Sequence, residues 1–274
     1  MTKILRSLLV TPATKNVCFD MLANLRADIN LLDLEDSVGS SEKSKARSKL
    51  SSIKLGKLQS KFALRINSLR TKEGLADLLY LIENGIDPDI IVIPKVIDSS
   101  DITCIDNILT KSGLKSNLWA LIEHPRGIQN CQEIAGSSSR LSALTFGAAD
   151  YASSADTAID WDTLLFARQQ IVLAAKAYGL DCYDSPTFSL DGLNDLRQDC
   201  LRSRMIGFTG KIAIHPEQIP TINELYVPSE SLVSWAREVL TAHDLGRDSI
   251  IKVNGLMIGP PFVAKARKIL EGVK

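Results

Sequence analysis

Eight short runs of Val, Ile and Leu return along this chain at intervals of roughly 30 residues, each followed by a longer amphipathic or charged stretch. The runs are Leu5–Val10, Ile29–Leu34, Phe62–Ile66, Ile90–Ile93, Leu118–Ile122, Leu144–Gly147, Leu180–Tyr183 and Ile212–Ile214. Each has the length and apolar character of a strand covered on both faces, as in a parallel sheet. A repeated strand–helix unit of this size predicts a (β/α)8 TIM barrel, whose usual length is about 250 residues. The competing doubly wound sheet would carry a glycine-rich phosphate loop after an early strand. Here the first run passes into Thr11–Lys15, TPATK, with no glycine.

Helices are predicted between the runs, over Asn16–Arg26, Ser41–Leu50, Glu73–Glu83 and Thr163–Tyr178. In Glu73–Glu83, Leu75, Leu78, Leu79 and Ile82 follow the i, i+3, i+4, i+7 spacing of a core-facing stripe. Gly85, Gly113, Gly179 and Gly207 fall where helix-ending glycines are expected. The barrel is assigned to residues 1–220. Residues 221–274 form a C-terminal helical extension, with helices over Ser229–His243 and Phe262–Gly272 and one extended piece, Ile250–Val253, expected to pack on the barrel or on a neighbouring subunit.

The 274 residues carry 32 basic and 32 acidic side chains, a balance that argues against a general nucleic-acid binder. No stretch reaches the ~18 apolar residues of a membrane span, and Arg6 interrupts the apolar start. The five scattered cysteines read as reduced thiols of a cytoplasmic protein.

In a barrel of this kind, function gathers at the C-terminal ends of the strands. The residues at the ends of the runs are Asp33, Glu35 and Asp36; Arg65–Asn67; Pro94–Lys95; Glu123–His124; Gly147–Asp150; Asp184; and His215–Pro216. Carboxylates converging on one mouth repel unless a cation sits between them. Oxygen ligands without clustered His or Cys favour Mg2+ or Mn2+ over zinc, and Glu123 and Asp150, on successive strands, are the natural pair. Glu35 and Asp36 are placed to hold metal-bound waters. Arg65 presents a planar fork suited to a carboxylate. Gly147, Ala148 and Ala149 let backbone amides approach a ligand closely. Together they suit a 2-oxo acid, with C–C bond cleavage or formation as the chemistry. Lys95 is the one credible Schiff-base lysine, since Lys211 begins its strand.

The ordered segments Arg6–Lys15, Leu31–Arg47, Leu64–Leu78, Ile90–Val96, Ala120–Asn130, Leu144–Tyr151, Ala167–Pro186 and Gly207–Ile219 resemble the citrate lyase beta-subunit-like branch of the HpcH/HpaI aldolase superfamily. The resemblance implies a TIM barrel, a homotrimer or hexamer, Mg2+, and cleavage or formation of a citryl-, malyl- or citramalyl-CoA-type 3-hydroxyacyl thioester. The products implied are an acyl-CoA and a 2-oxo acid such as oxaloacetate, pyruvate or glyoxylate. It implies Glu123 and Asp150 as metal ligands and Arg65 as oxo-acid clamp, with Glu35 and Asp36 beside the metal waters. Arg6 and Lys15 would contact the CoA phosphates. Catalysis is thus expected of Arg65, Glu35 and Asp36, and substrate binding of Arg65, Lys95, Gly147, Ala148, Ala149, Arg6 and Lys15. One departure stands out. Members often end in a G-K-M-[IV]-D-x-P segment whose Asp is lent to the neighbouring subunit as acid/base. Here the segment is NGLMIGPP, with Leu256 and Gly259 in place of the Lys and the Asp. His124 is a candidate replacement. A binding or regulatory descendant without catalysis, and an aldolase for a free hydroxy acid, are the competing expectations.

Overall fold

The computed structural model describes residues 5–14, 26–52, 60–189, 193–246 and 250–272. The predicted helix Asn16–Arg26 and the predicted ligand Lys15 lie almost wholly or wholly outside them.

Eight parallel strands close into a barrel in chain order: β1 (Ser7–Pro12), β2 (Ile29–Asp33), β3 (Lys61–Arg65), β4 (Ile90–Ile93), β5 (Asn117–Ile122), β6 (Leu141–Phe146), β7 (Asp181–Asp184) and β8 (Gly210–Ala213), with β8 paired to β1. Each apolar run supplied one strand, shifted by at most three residues at its ends. Closure removes every sheet edge. The architecture is the predicted (β/α)8 barrel.

The side chains alternate between two environments. Inward, Leu8, Ile29, Leu31, Ala63, Ile90, Val92, Trp119, Leu121, Ala143 and Tyr183 make one buried core. Trp119 and Tyr183 stack at 4.4 Å, and the Tyr183 hydroxyl donates to the Leu5 carbonyl at 2.9 Å. Outward residues meet the helices α1 (Lys43–Ser48), α2 (Lys72–Glu83), α3 (Ser100–Ser112), α4 (Pro125–Gln129), α5 (Cys131–Ala135), α6 (Ala148–Ser154), α7 (Trp161–Ala177), α8 (Asn194–Ile206) and α9 (Gln218–Leu225). Among the described residues no helix is long and apolar enough to cross a membrane. Helix starts follow capping chemistry: Thr71 accepts from the Gly74 amide, and Asp160 accepts from the amides of Asp162 and Thr163.

The chain forms two compact units, Leu5–Ile222 and the segment from Asn223 onward. The second holds α10 (Glu230–Gly246), α11 (Pro260–Glu271) and an antiparallel hairpin of β9 (Ile251–Val253) and β10 (Leu256–Ile258). Its own core includes Ala236, Val239, Val253, Ile258, Val263 and Ala266. The extension is therefore not purely helical. Asn254 and Gly255, both at positive φ, make the two-residue turn that an Asn-Gly pair favours.

Asp184 corrects the strand-end reading. It faces the outer side of the barrel, fully buried, where Arg168 Nε of α7 donates to it at 2.9 Å and Lys211 Nζ of β8 at 3.2 Å. Lys211 also donates to the Ser185 carbonyl at 2.7 Å. Tyr183 points inward, so its neighbour Asp184 must point outward. This ion group ties the barrel wall to its helices and contributes no charge to the mouth. Removing one member strands buried cations without a counter-charge. Asp184→Ala is expected to lower the unfolding free energy by about 3–5 kcal/mol in urea titrations; a loss within error of zero would show the group to be dispensable.

Candidate active site at the barrel mouth

Asp36 from the loop after β2, Arg65 of β3 and the acids after β5 and β6 line one cavity of about 210 Å³, and Asp33, Glu35 and Lys95 pair with these residues. Asp36, Arg65, Glu123, Thr145 and the Gly147–Asp150 turn line it on one side.

Arg65 is the hub. Its Nε and Nη2 each donate to an oxygen of buried Asp33 at 2.7 Å. Its Nη1 lies 3.1 Å from Glu35 Oε2 and 3.9 Å from Asp36 Oδ2. Burial alone would lower the Arg65 pKa, but the bonds to Asp33 and the nearby carboxylates raise it. Asp33 shows the converse: burial works to raise its carboxyl, and Arg65 outweighs this and holds it low. The expected clamp is thus half committed. The Nε–Nη2 edge is fixed on Asp33, and Nη1 is the corner directed at Glu35 and Asp36.

Lys95 follows Pro94 at the end of β4 with φ of +56°, the left-handed region. Its amide donates to Glu123 Oε1 at 2.7 Å. Its ammonium donates to Glu35 Oε1 at 2.7 Å and lies 3.3 Å from Asp36 and 3.6 Å from Asp150. Burial disfavours this charge, yet the bond to Glu35 raises its pKa overall. A Schiff-base role needs a neutral amine, so the ion pairs argue against that reading of Lys95.

Glu123 extends from β5 and is almost fully buried. Burial, then the charges of Glu35 and Asp150, push its carboxyl up to about 8. Glu35 is also raised, chiefly by burial. Its Oε2 is buried with no hydrogen bond, despite the ion pair with Arg65. Asp150 stands in the first turn of α6, half-exposed. Gly147 is required here, because a Cβ would collide with Glu123 Oε2. The Gly147 amide is donated to the Ile122 carbonyl at 3.0 Å, so of the three small residues only Ala148 and Ala149 offer first-turn amides outside the strand ladder.

Two residues expected at the site, Arg6 and His124, are not among those lining the cavity. Arg6 precedes β1, at the opposite end of the barrel, and its guanidinium makes a two-pronged pair with Asp28 at 2.9 and 3.1 Å. A parallel barrel sends the start of a strand away from the mouth, so Arg6 stands apart from the cavity. His124 caps α4, its Nδ1 accepting from the Arg126 amide at 3.1 Å. Conversely, Asp33, Lys43 and Asn67 matter more than their sequence position suggested. Lys43 Nζ donates to the Leu34 and Glu35 carbonyls and to Asn67 Oδ1 at 3.0, 2.8 and 2.6 Å, which fixes the loop that carries Glu35 and Asp36.

The mouth holds more acidic than basic side chains, Asp33, Glu35, Asp36, Glu123 and Asp150 against Arg65 and Lys95, and the proton that Glu123 retains without a metal relieves part of the excess. Among the described residues no group of three or more His, Cys, Asp or Glu converges to hold a metal unaided. Glu123 and Asp150 as two oxygen ligands, with room for waters and substrate oxygens, match magnesium chemistry.

An arginine set among carboxylates at the mouth of a parallel barrel suits an enzyme that handles small anionic oxo compounds. A family model described as HpcH/HpaI aldolase/citrate lyase matches residues 6–216, and the chain belongs to that family of carbon–carbon lyases. It is 34% identical over 265 residues to an L-malyl-CoA/beta-methylmalyl-CoA lyase of Rhodobacter capsulatus, covering 86% of this chain and 83% of the relative. The structure of RipC from Yersinia pestis aligns with a TM-score of 0.73 and 36% identity, over 82% of this chain and 96% of that one. CitE from Mycobacterium tuberculosis, in complex with magnesium, acetoacetate and coenzyme A, aligns with a TM-score of 0.83 and 25% identity, over 97% of both chains.

The raised Glu123 carboxyl has a consequence for the metal-free protein. The folded state holds this proton up to about pH 8, the unfolded chain only to about pH 4.5. Its contribution is therefore present below pH 4.5 and is lost as pH rises to 8. Thermal melts without divalent cation are expected to fall across that window, and Glu123→Gln is expected to flatten the fall. An unchanged slope in the variant would assign the effect elsewhere.

Proposed function

We propose that this chain is a Mg2+-dependent lyase acting on a 3-hydroxyacyl-CoA of the citryl-, malyl- or citramalyl-CoA type, giving an acyl-CoA and a 2-oxo acid. The observation that carries this reading is the carboxylate pair Glu123 and Asp150 beside Arg65 in one cavity, with Lys95 at 3.6 Å from Asp150 as the cation nearest the pair. The name of the Rhodobacter relative and the magnesium and coenzyme A of the Mycobacterium complex support it.

Glu123 and Asp150 would hold the ion, which when bound supplies a Lewis acid for a carbonyl and a carboxylate oxygen. Every other task falls to the chain. Arg65 Nη1 faces the anionic end of the substrate, and the Asp33 bonds keep its plane fixed. Ala148 and Ala149 amides add donors on the same side. In cleavage the C2–C3 bond breaks, the C3 hydroxyl loses its proton as C3 becomes the oxo carbon, and C2 gains a proton as the acyl-CoA leaves. Glu35 and Asp36 are the carboxylates next to this exchange, with Lys95 holding both in place. A homotrimer or hexamer in the cytoplasm accompanies the proposal, resting on the family resemblance and the reduced thiols.

A second reading, a family member that binds these ligands without turning them over, is favoured by Gly259. It has extended backbone at the start of α11, and a Cβ there would meet nothing closer than Pro261 Cδ at 3.9 Å. The position can hold a side chain but has none to move a proton.

Two measurements separate these readings. Cleavage of malyl-, citramalyl- or citryl-CoA should require Mg2+, and Asp150→Ala should abolish ion binding by calorimetry and lower turnover roughly 100-fold or more. Full turnover in chelator-stripped protein would falsify the metal-dependent reading. If wild type binds Mg2+ and pyruvate but cleaves none of these thioesters, Gly259→Asp is expected to fold as stably as wild type and gain turnover; no gain would leave the binding role standing.

A further inference from the structure

The cavity has two unlike walls. Opposite the charged side described above, its lining is Leu8 and Val10 from β1, Ile212 and Ile214 from β8 and the turn after it, and Pro186 and Phe188 beyond β7. Leu8 belongs to the buried barrel core, and Val10 and Ile212 pack against it, so this wall continues the interior upward without a polar atom of its side chains. Among the described residues lining the cavity Arg65 is the one cation, and one edge of its fork is already held by Asp33.

We propose that this apolar wall is a specificity subsite for the substituent on the oxo carbon: the site takes a 2-oxo monocarboxylate with a short alkyl group and rejects one bearing a second carboxylate. The inference rests on the lyase reading above. The physical grounds are two. An alkyl group placed against Val10, Ile212 and Ile214 leaves water for an apolar surface that is already formed. A second carboxylate there would lose its hydration and find no cation among the described residues of that wall, in a mouth whose acids already outnumber its bases. Glyoxylate, with hydrogen at the same position, would leave the wall unfilled.

The test is calorimetry on the full chain saturated with Mg2+, titrated with glyoxylate, pyruvate, 2-oxobutyrate and oxaloacetate. Pyruvate and 2-oxobutyrate are expected to bind roughly tenfold tighter than glyoxylate, the scale of one added carbon in an apolar pocket, and tighter than oxaloacetate. Among the wall residues contributed by β1, β8 and the turn after β8, Ile214 is the exposed one, at 39%, so a charge is tolerated there without burial. Ile214→Arg should therefore raise oxaloacetate affinity at least several-fold and leave pyruvate unimproved. Equal affinity for glyoxylate and pyruvate, or oxaloacetate binding as tightly as pyruvate in wild type, would overturn the subsite while leaving the lyase reading intact. Absence of binding by every oxo acid in the presence of Mg2+ would instead remove the lyase reading, and the subsite with it.

Discussion

The pairing of Arg65 with Asp33 is the interaction on which the mouth depends. Both groups are desolvated, and each is affordable only because the other is there: Asp33 stays ionised against its burial, and Arg65 stays charged against its own. The pair bridges neighbouring strands β2 and β3 through two parallel bonds, which fixes the guanidinium plane as well as its charge. From that fixed plane Nη1 faces Glu35, and Glu35 in turn receives Lys95. The two cations are thus engaged mainly with Asp33 and Glu35, and Glu123 and Asp150 share only the amide and the more distant ammonium of Lys95. The deficit that calls for a divalent cation is a consequence of how the arginine is held.

The period of the apolar runs made the barrel legible because a buried parallel strand must be apolar on both faces, and eight such strands have few ways to be covered. Strand ends also pointed to Arg65, Glu123 and Asp150, which the fold gathers into one cavity. What the sequence withheld was direction. Asp184 ends its strand as Asp33 does, yet alternation turns it to the outer wall, where Arg168 and Lys211 neutralise it. Arg6 sits beside the first strand, but at the end away from the mouth. One residue of register decides the face, and continuous apolar runs carry no alternation from which to read it.

Other features were legible and went unused. Asn254–Gly255 is a strong hairpin signal, and it turns a single extended piece into β9 and β10. Lys43 looked like one charge among several in a solvated helix. Its role appears only when Leu34, Glu35 and Asn67 are brought within reach of a single ammonium, and nothing in spacing reports that. The sequence names the charged residues well; it does not say which of them neutralise one another, and that choice determines what remains for a ligand.

Lys95 shows why such a site resists reading from pattern alone. A non-glycine residue at positive φ costs roughly 1–2 kcal/mol, and a glycine in its place would carry the same backbone more easily. The lysine persists because its two ends act on different carboxylates: the amide on Glu123, the ammonium on Glu35, Asp36 and Asp150. Glycine would keep the first contact and lose the second. The strained backbone is therefore the local cost of joining the β2 loop, β5 and α6 through one residue.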